Sequence, residues 1–436
     1  MLKIAKFGGT SLATAEQILK VKGIVNADPA RRIIVPSAPG KAHADDTKIT
    51  DLLYLVHELA QQKQTIDPVW NQIVQRFEEI ITGLALDLDL SGPLEEVRRT
   101  IEEGADSNYA ASRGEALNGY IMAALLEAEY VDPFEVIEIS SSGKASSGSY
   151  EAIRRRCGDP DKRYVIPGFY GRDSRGRVKT FSRGGSDVTG AVAANALDAD
   201  LYENWTDVSG FLMTDPRIVP EAQTIEEITY TELRELSYMG AGVLHEEAVF
   251  PIRDKGIPIN IKNTNRPEDR GTMIVADRDP GKHKVVGIAG MKGFSVFFIE
   301  KAMMNDEIGF GRRVLSAFER HQISYEHMPS GIDTISVVVR DRNLEDKTEQ
   351  LLEELEALKP DRVMILPNMS LIATVGKGMN HMIGTAATLF TALARQGINI
   401  RMIDQGSSEQ NIIVGVEEAD HEKAIRAIYD AFQHAD

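Results

Sequence analysis

The sequence predicts an α/β protein: a layered domain with a mostly parallel sheet, followed by two ferredoxin-like βαββαβ units. Three observations carry this. Strand-like and helix-like segments alternate from the first residues to about residue 275, the signature of a parallel sheet with covering helices. Within that stretch a strand–Gly-Gly–helix outline occurs twice, as KIAKFGGTSLATAEQILKV (3–21) and KTFSRGGSDVTGAVAANAL (179–197). Past a polar Pro/Gly linker (276–284), a strand–helix–strand–strand–helix pattern is also written twice.

In chain order, RRIIVPSA (31–38) reads as a buried strand, and KITDLLYLVHELAQQ (48–62) as a helix with Leu52, Leu55, Val56 and Leu59 on one face. EALNGYIMAALLEAE (115–129) is a second helix. PFEVIEIS (133–140), RYVIPGFYG (163–171) and GIPINIKN (256–263) read as strands. In the repeat, FSVFFI, GRRVLSAFERHQISYEH and TISVVVR make the first pass, and SLIATVG, ATLFTALARQGINIRMI and NIIVGVE the second. Ile398 follows Ile323, and Arg395 follows Arg320, by 75 residues. Each pass ends in a helix, EDKTEQLLEELEALK or HEKAIRAIYDAF. The short strand KVVGIAG (284–290) could belong to either copy. The expected domains are therefore 1–275, 284–368 and 369–436, with 284–292 open between the last two.

Of the 436 residues, 42 % are hydrophobic and 26 % charged, as in water-soluble globular proteins. No apolar run is long enough to cross a bilayer, and the N-terminus enters a strand pattern without a signal peptide. A single cysteine, Cys157, cannot form an internal disulfide, so a cytoplasmic, reducing location is expected. A net charge of −17 argues against nucleic acid or anionic membrane as a partner. An anionic ligand would need local cations and helix N-termini against that background.

The two Gly-Gly turns offer them. In Lys6-Phe7-Gly8-Gly9-Thr10-Ser11 the glycines let a ligand approach the backbone, and the helix behind, with Ile18, Val21 and Val25 on one face, presents its positive end. Lys6 adds a point charge. In Arg183-Gly184-Gly185-Ser186-Asp187 the arginine offers a fork for carboxylate or phosphate, with Val188, Ala191, Val192 and Ala196 lining the helix. Asp187 suits an anion site only as an organiser of a cation such as Lys6. Two anions brought together between two cationic turns is what phosphoryl transfer needs. Two polar stretches, 40–48 and 140–149, read as surface loops, with a lid role left open. The second contains Gly143-Lys144, but Glu138 stands where a Walker A loop needs glycine. HEEAV (245–249) is no zinc-protease motif, because Val249 replaces the second histidine.

KFGGTS, SRGE (112–115), FSRGGSDVTGA, WTDVSGF, TDPRIV and GAGVLHEEA occur in this order, and together they resemble the aspartate kinases. The resemblance covers nearly the whole chain. It implies a three-layer αβα amino-acid kinase domain followed by two ACT domains, and transfer of the ATP γ-phosphoryl group to L-aspartate, giving 4-phospho-L-aspartate. Lys6, Gly8, Gly9, Arg183 and Asp187 would form the catalytic centre, with Mg²⁺ carried in on ATP. Ser37, Thr50, Glu115, Arg183, Gly184, Gly185 and Ser186 would bind aspartate, Glu115 holding its ammonium group and Arg183 a carboxylate. Thr206, Asp207, Leu212, Arg217, Gly242 and Val243 would join Lys6, Gly8 and Gly9 at the nucleotide. Read alone, Thr50 also suits a helix N-cap, Glu115 a solvated helix start, and Asp207 and Asp215 turns. One departure stands out: many relatives carry lysine where this chain has Gly242, and Glu246 adds charge of the wrong sign for phosphate.

The paired ACT-like units imply feedback control in the pathway to lysine, threonine and methionine. Lysine is the expected effector and threonine the alternative. Candidate effector residues are Met304, Asn305, Glu307, Gly309, Phe310, Tyr325, Glu326 and Asp333, whose carboxylates would suit an ammonium group. Asn380 and Gln405, in the second copy, suit an interface. ACT units pair across subunits, so a homodimer is expected, or a tetramer formed from two of them. No fused homoserine dehydrogenase is expected. The competing readings are a kinase of the same fold acting on glutamate, N-acetylglutamate or a nucleotide, and a non-catalytic amino-acid sensor.

Overall fold

Strand β1 (Lys3–Phe7) lies inside an eight-stranded sheet. Among the described residues up to 275, the further strands are β2 (Arg31–Pro36), β3 (Glu129–Tyr130), β4 (Tyr164–Val165), β5 (Tyr170–Arg172), β6 (Val178–Thr180), β7 (Leu201–Thr206), β8 (Glu227–Thr229), β9 (Ile259–Asn263) and β10 (Thr272–Val275). The sheet order is β3-β4-β2-β1-β7-β9-β10-β8, and every neighbouring pair is parallel except β9 with β10. Strands β5 and β6 form a separate antiparallel hairpin. This computed structural model describes all residues except 183, 243, 245–248, 280, 282–283, 381 and 434–436. Among the described residues no helix is long and apolar enough to cross a membrane.

Helices α1 (Ala15–Asn26), α2 (Ile49–Gln61), α3 (Asp67–Gly83), α4 (Ser91–Glu102) and α5 (Ser107–Leu126) bury one apolar cluster with β1 and β2; it includes Ile18, Val21, Leu53, Trp70, Phe77 and Leu117. Successive residues of a strand point to opposite faces of the sheet. Ala5 and Phe7 accordingly join this cluster, while Lys6 faces the other way. After α6 (Pro133–Val136) and α7 (Ser147–Cys157) comes α8 (Gly185–Ala196), which packs on the Lys6 side. The result is the expected helix–sheet–helix layering.

Three local expectations need correction. PFEVIEIS is not a strand: the Asp132 carboxylate accepts the Phe134 N–H, and with Pro133 next to it starts the short α6 instead. On α2 the buried residues are Ile49, Leu52, Leu53 and Val56, whereas Leu55 is exposed, because the face is set by neighbours α5 and α3. The first Gly-Gly turn leads not into an α-helix but into a 3₁₀ turn, Gly9–Leu12. The α-helix begins at Ala15, capped by the Thr14 hydroxyl.

The chain divides into two compact units, and the division does not follow a single linker. The first unit comprises 1–211, 224–233 and 243–278; the second comprises 212–223, 234–242 and 279–436. Short helices α9 (Tyr230–Tyr238) and α10 (Phe250–Arg253) precede the repeat. The second unit contains strands β11 (Gly287–Glu300), β12 (Thr334–Arg340), β13 (Arg362–Val375), β14 (Met402–Asp404) and β15 (Asn411–Glu417), in the order β12-β11-β13-β15-β14. Its helices are α11 (Phe310–Arg320), α12 (Thr348–Glu356), α13 (Thr385–Arg395) and α14 (His421–Gln433). KVVGIAG and FSVFFI share β11, whose first part pairs with 371–375 and whose second part pairs with β12 and 362–366. The 75-residue repeat holds at the turns. Gly309 and Gly384 both have left-handed φ (81° and 97°) before their helices, and Ile308 and Ile383 before them are both almost fully exposed.

In the first unit, the Glu232 carboxylate is sealed from solvent and accepts from Arg278 Nε (2.9 Å), Arg278 Nη2 (2.6 Å), Thr229 N (2.9 Å) and Thr229 Oγ1 (2.8 Å). Removing one partner of such a pair strands a buried charge. Arg278→Ala is expected to cost ~3–5 kcal/mol of unfolding free energy in a urea titration; a loss below ~1 kcal/mol would show that water reaches the carboxylate.

Candidate active site

Parallel pairing of β1 with β7 sets Lys6 opposite Asn204 in register. Lys6 Nζ lies 2.5 Å from Asp187 Oδ1 and 3.3 Å from Asn204 Oδ1, and Asn204 Nδ2 donates to Asp187 Oδ1 at 2.9 Å. Lys6 and Asn204 are buried, so the ammonium keeps one position rather than sweeping through solvent. The amine also sits over the first turn, 3.6 Å from where a side chain on Gly8 would begin. Asp187 thus pairs with Lys6, the cation that the sequence places at the first turn. Asn204 was not foreseen: an asparagine on a strand announces nothing until the register is known.

The first turn is braced by its neighbours. The Gly8 amide donates to Trp205 O at 2.9 Å, so Gly8 is not the free donor that the sequence suggested. Backbone donors for a phosphate must come from Gly9 onward. Gly9 O accepts from Gly40 N at 2.9 Å, and the Ser11 and Thr264 hydroxyls meet at 2.8 Å. Thr264, at the end of β9, is a second unforeseen residue.

The second turn does lead directly into a helix. Gly184 is left-handed (φ 56°) and caps α8, with Val188, Ala191, Val192 and Ala196 buried behind. A side chain on Gly185 would meet Phe169 Cδ2 at 2.4 Å, and one on Gly168 would meet Ser186 Oγ at 2.4 Å. Phe169 has φ 82°, a costly conformation for a bulky residue, held by Phe169 N donating to Thr189 Oγ1 (3.1 Å) and Phe169 O accepting from Phe181 N (2.9 Å). The strained Phe169 therefore forms the wall against which Gly185 packs. Arg183 lies outside the described residues, but Gly184 to Asp187 fix the turn against Lys6.

The expected acceptor-side residues surround the same strand ends. Ser37 N donates to Phe7 O (3.1 Å), and Ser37 O accepts from Asn118 Nδ2 (2.7 Å). Thr50 is the second residue of α2 and not its cap, which is Lys48. Glu115 is not solvated: it is buried on α5, and its Oε2 has no hydrogen-bond partner among the described residues. Burial pushes its carboxyl up to about 8, against smaller opposing effects from the Ala38 and Glu115 backbone amides and the Arg113 charge. A buried carboxyl with an unfilled oxygen is suited to receive a cationic group.

Of the residues expected at the nucleotide, Thr206 ends β7 and the exposed Asp207 follows it, Thr206 Oγ1 donating to Asp207 Oδ1 at 3.2 Å. Leu212, Arg217 and Gly242 belong to segments of the second unit. Arg217 is largely exposed and paired with Asp215 at 2.6 Å. Val243, His245 and Glu246 lie outside the described residues. Among the described residues no cluster of three or more acidic, histidine or cysteine side chains could hold a resident metal.

The effector candidates separate. Met304 and Asn305 lie on a 3₁₀ turn, with Asn305 N donating to Ile332 O; Gly309 caps α11; Tyr325 is exposed. Phe310 is a core residue, not a surface contact. The expectation of waiting carboxylates needs correction. Glu307 is paired with Lys301 (2.9 Å) and Arg313, and Glu326 is buried with Arg340 (2.9 Å) and accepts from the Tyr238 hydroxyl. Asp333 accepts the Met303 N–H at 2.9 Å but pairs with no cation among the described residues.

Comparison with known proteins shows the family. Residues 1–263 match the amino acid kinase family and residues 372–432 the ACT domain. The chain is 40 % identical to aspartokinase 3 of Bacillus subtilis, over 99 % of this chain and 98 % of that one. Its fold is similar to that of Clostridium acetobutylicum aspartate kinase, described as an allosteric enzyme (TM-score 0.94, 54 % identity, 99 % and 100 % of the two chains). It is also similar to E. coli aspartokinase III solved with aspartate and ADP (TM-score 0.75, 25 % identity, 99 % of both chains) and with lysine and aspartate (TM-score 0.75, 26 % identity, 99 % of both).

The Glu115 carboxyl sets a pH dependence. Its folded value lies above the ordinary 4.5, so between about 4.5 and 8 the folded protein holds a proton that the unfolded chain releases. Stability should therefore decline as pH rises through that window. Glu115→Gln removes the titration, and without aspartate its melting temperature should exceed that of the unmodified protein at pH ~8.5 and converge with it near pH ~5. Parallel melting profiles would mean that Glu115 is solvated in solution.

Proposed function

Since the chain belongs to the aspartate kinases of the amino acid kinase family, we propose that Lys6, Asn204 and Asp187 form the centre at which ATP phosphorylates the side-chain carboxylate of L-aspartate. The observation that carries this is the 2.5 Å contact between Lys6 and Asp187, which joins the two glycine turns. The nucleophile needs no general base, because a carboxylate of pKa about 4 is ionised at neutral pH. One carboxylate oxygen bonds to the γ-phosphorus, the bond from that phosphorus to the bridging oxygen breaks, and ADP leaves with the electron pair. The barrier is the approach of one anion to another. Lys6 and Arg183 counter it, and Mg²⁺ enters on the nucleotide. Gly9 and the following backbone, with Thr206 and Asp207, hold ATP. Ser37, Thr50, Gly184, Gly185 and Ser186 shape the aspartate side, and Glu115 accepts its ammonium group.

The product is an acyl phosphate, which commits aspartate to the lysine, threonine and methionine pathway. The ACT repeat supports feedback control by an end-product amino acid, and lysine is the proposed effector. With Glu307 and Glu326 committed to internal ion pairs, Asp333 is the carboxylate left to read an effector ammonium group. A homodimer joined through the ACT units completes this reading.

An ATP-dependent hydroxamate assay tests it. Aspartate with ATP, Mg²⁺ and hydroxylamine should give aspartyl hydroxamate, glutamate should not, and lysine should suppress the product more than threonine or methionine. Absence of the aspartate product would end the proposal. Lys6→Ala and Arg183→Ala should each lower turnover at least ~100-fold without unfolding the protein, as expected for lost charge stabilisation. A variant that keeps most of its turnover would show that its charge acts elsewhere.

A further inference from the structure

We infer that Arg76 is a positioning residue for the phosphoryl transfer, holding the Gly8–Gly9 turn in place through the loop between Ser37 and Ile49. The inference rests on the aspartate kinase reading. Arg76 belongs to α3, a helix that carries none of the motifs. Its guanidinium is largely buried. Nη2 donates to both oxygens of Asp46 at 2.6 Å, and Nη1 to Gly40 O at 3.3 Å. The Asp46 carboxylate in turn accepts from Ala42 N (2.7 Å) and Thr47 N (2.8 Å). One planar fork therefore grips both ends of the polar loop that the sequence left as a surface feature or lid.

That loop rests on the turn. Gly40 N donates to Gly9 O at 2.9 Å, and a side chain on Gly40 would begin 2.6 Å from the Gly9 carbonyl carbon and 2.8 Å from Thr10 N. Gly40 has no left-handed φ; it is glycine because the two backbones touch. The same loop runs from Ser37 to the first turn of α2, where Ile49 N donates to Pro39 O at 3.3 Å and Thr50 follows. Arg76 thus fixes a backbone layer beneath the first backbone donors available to a phosphate. Phosphoryl transfer depends mainly on positioning, and a displacement of about 1 Å can cost up to ~100-fold in rate.

The test compares the full-length unmodified enzyme with Arg76→Ala, Arg76→Lys and Asp46→Asn. Hydroxamate turnover is expressed per ADP-binding site, counted by calorimetry, so that a misfolded fraction does not register as slow chemistry. Arg76→Ala is expected to lose at least ~10-fold in kcat per site. Arg76→Lys and Asp46→Asn should lose less, and guanidinium ions added to Arg76→Ala should restore part of the rate. A kcat per site within about twofold of the unmodified enzyme would overturn the inference, as would a loss that vanishes once sites are counted. If Arg76→Ala does not fold, the other two variants decide: both slowed per site supports the inference, and both within twofold overturns it. An unmodified enzyme that makes no aspartyl hydroxamate would remove the substrate reading, and this inference with it.

Discussion

The contact between Lys6 and Asp187 is the constraint on which the rest of the site depends. It ties a strand end in the first dozen residues to a helix start some 180 residues later, across the face of the sheet. Asp187 surrenders part of the lysine's field, since a cation beside a carboxylate attracts phosphate less strongly than a bare one. What it supplies is a fixed position. A lysine has four rotatable carbons, and an ammonium that must be found and ordered during the reaction contributes less than one already in place. Asn204 completes the arrangement by accepting from the lysine and donating to the aspartate, so neither charge needs water to hold it.

The glycines follow from the same requirement. Only one of those at the two turns, Gly184, is there for its backbone angle. Gly9 and Gly185 at the turns, and Gly40 and Gly168 beside them, stand where another group occupies the space of a side chain: Gly9 and Gly40 against each other, Gly185 against Phe169, Gly168 against Ser186. Close packing of main chain on main chain makes a site shallow, rigid and dense in N–H and C=O groups, which suits polyanions. It also explains why a strained Phe169 is tolerated. Its φ of 82° is held from both sides by hydrogen bonds to Thr189 and Phe181, and moving it would open the wall against which Gly185 packs.

Much of this was legible in the sequence, and what was not shares a cause. Alternating elements, the 75-residue repeat and the paired turns are local patterns, readable within a window of a few dozen residues. Lys6 and Asp187 were legible as partners because an aspartate at an anion site makes sense only beside a cation. Asn204, Thr264 and Arg76 were not, because their roles come from strand register and helix packing over separations of up to 253 residues. The 40–48 stretch looks like any solvated loop, since an aspartate pinned from outside, Asp46, reads the same in sequence as one that is free. The misread strand at 133–140 is the opposite case: Asp132-Pro133 carried a helix-start signal, and the apolar alternation after it was given too much weight. At Glu307 and Glu326 the sequence displays the charges but not their partners, so carboxylates already paired look open.

The buried Glu326 has a mechanical consequence within the second unit. It is held by Arg340 on β12 and by the hydroxyl of Tyr238, while Arg340 also covers the Tyr238 ring at 5.0 Å and donates to its carbonyl at 3.4 Å. Next to it, Glu235 accepts from Asn411 on β15 at 2.7 Å. Segment 234–242 is therefore fastened to both copies of the repeat, although it enters from a part of the chain that the periodicity assigned to the preceding domain. Residues 324–333 cannot shift without either carrying Tyr238 along or breaking a buried ion pair, and breaking one by stranding a charge is expensive. A ligand moves an equilibrium only by the difference in its affinity for the two states. For an effector bound near Asp333, as proposed above, that difference would include the fate of the Glu326–Arg340–Tyr238 clasp as well as the contacts the ligand itself makes.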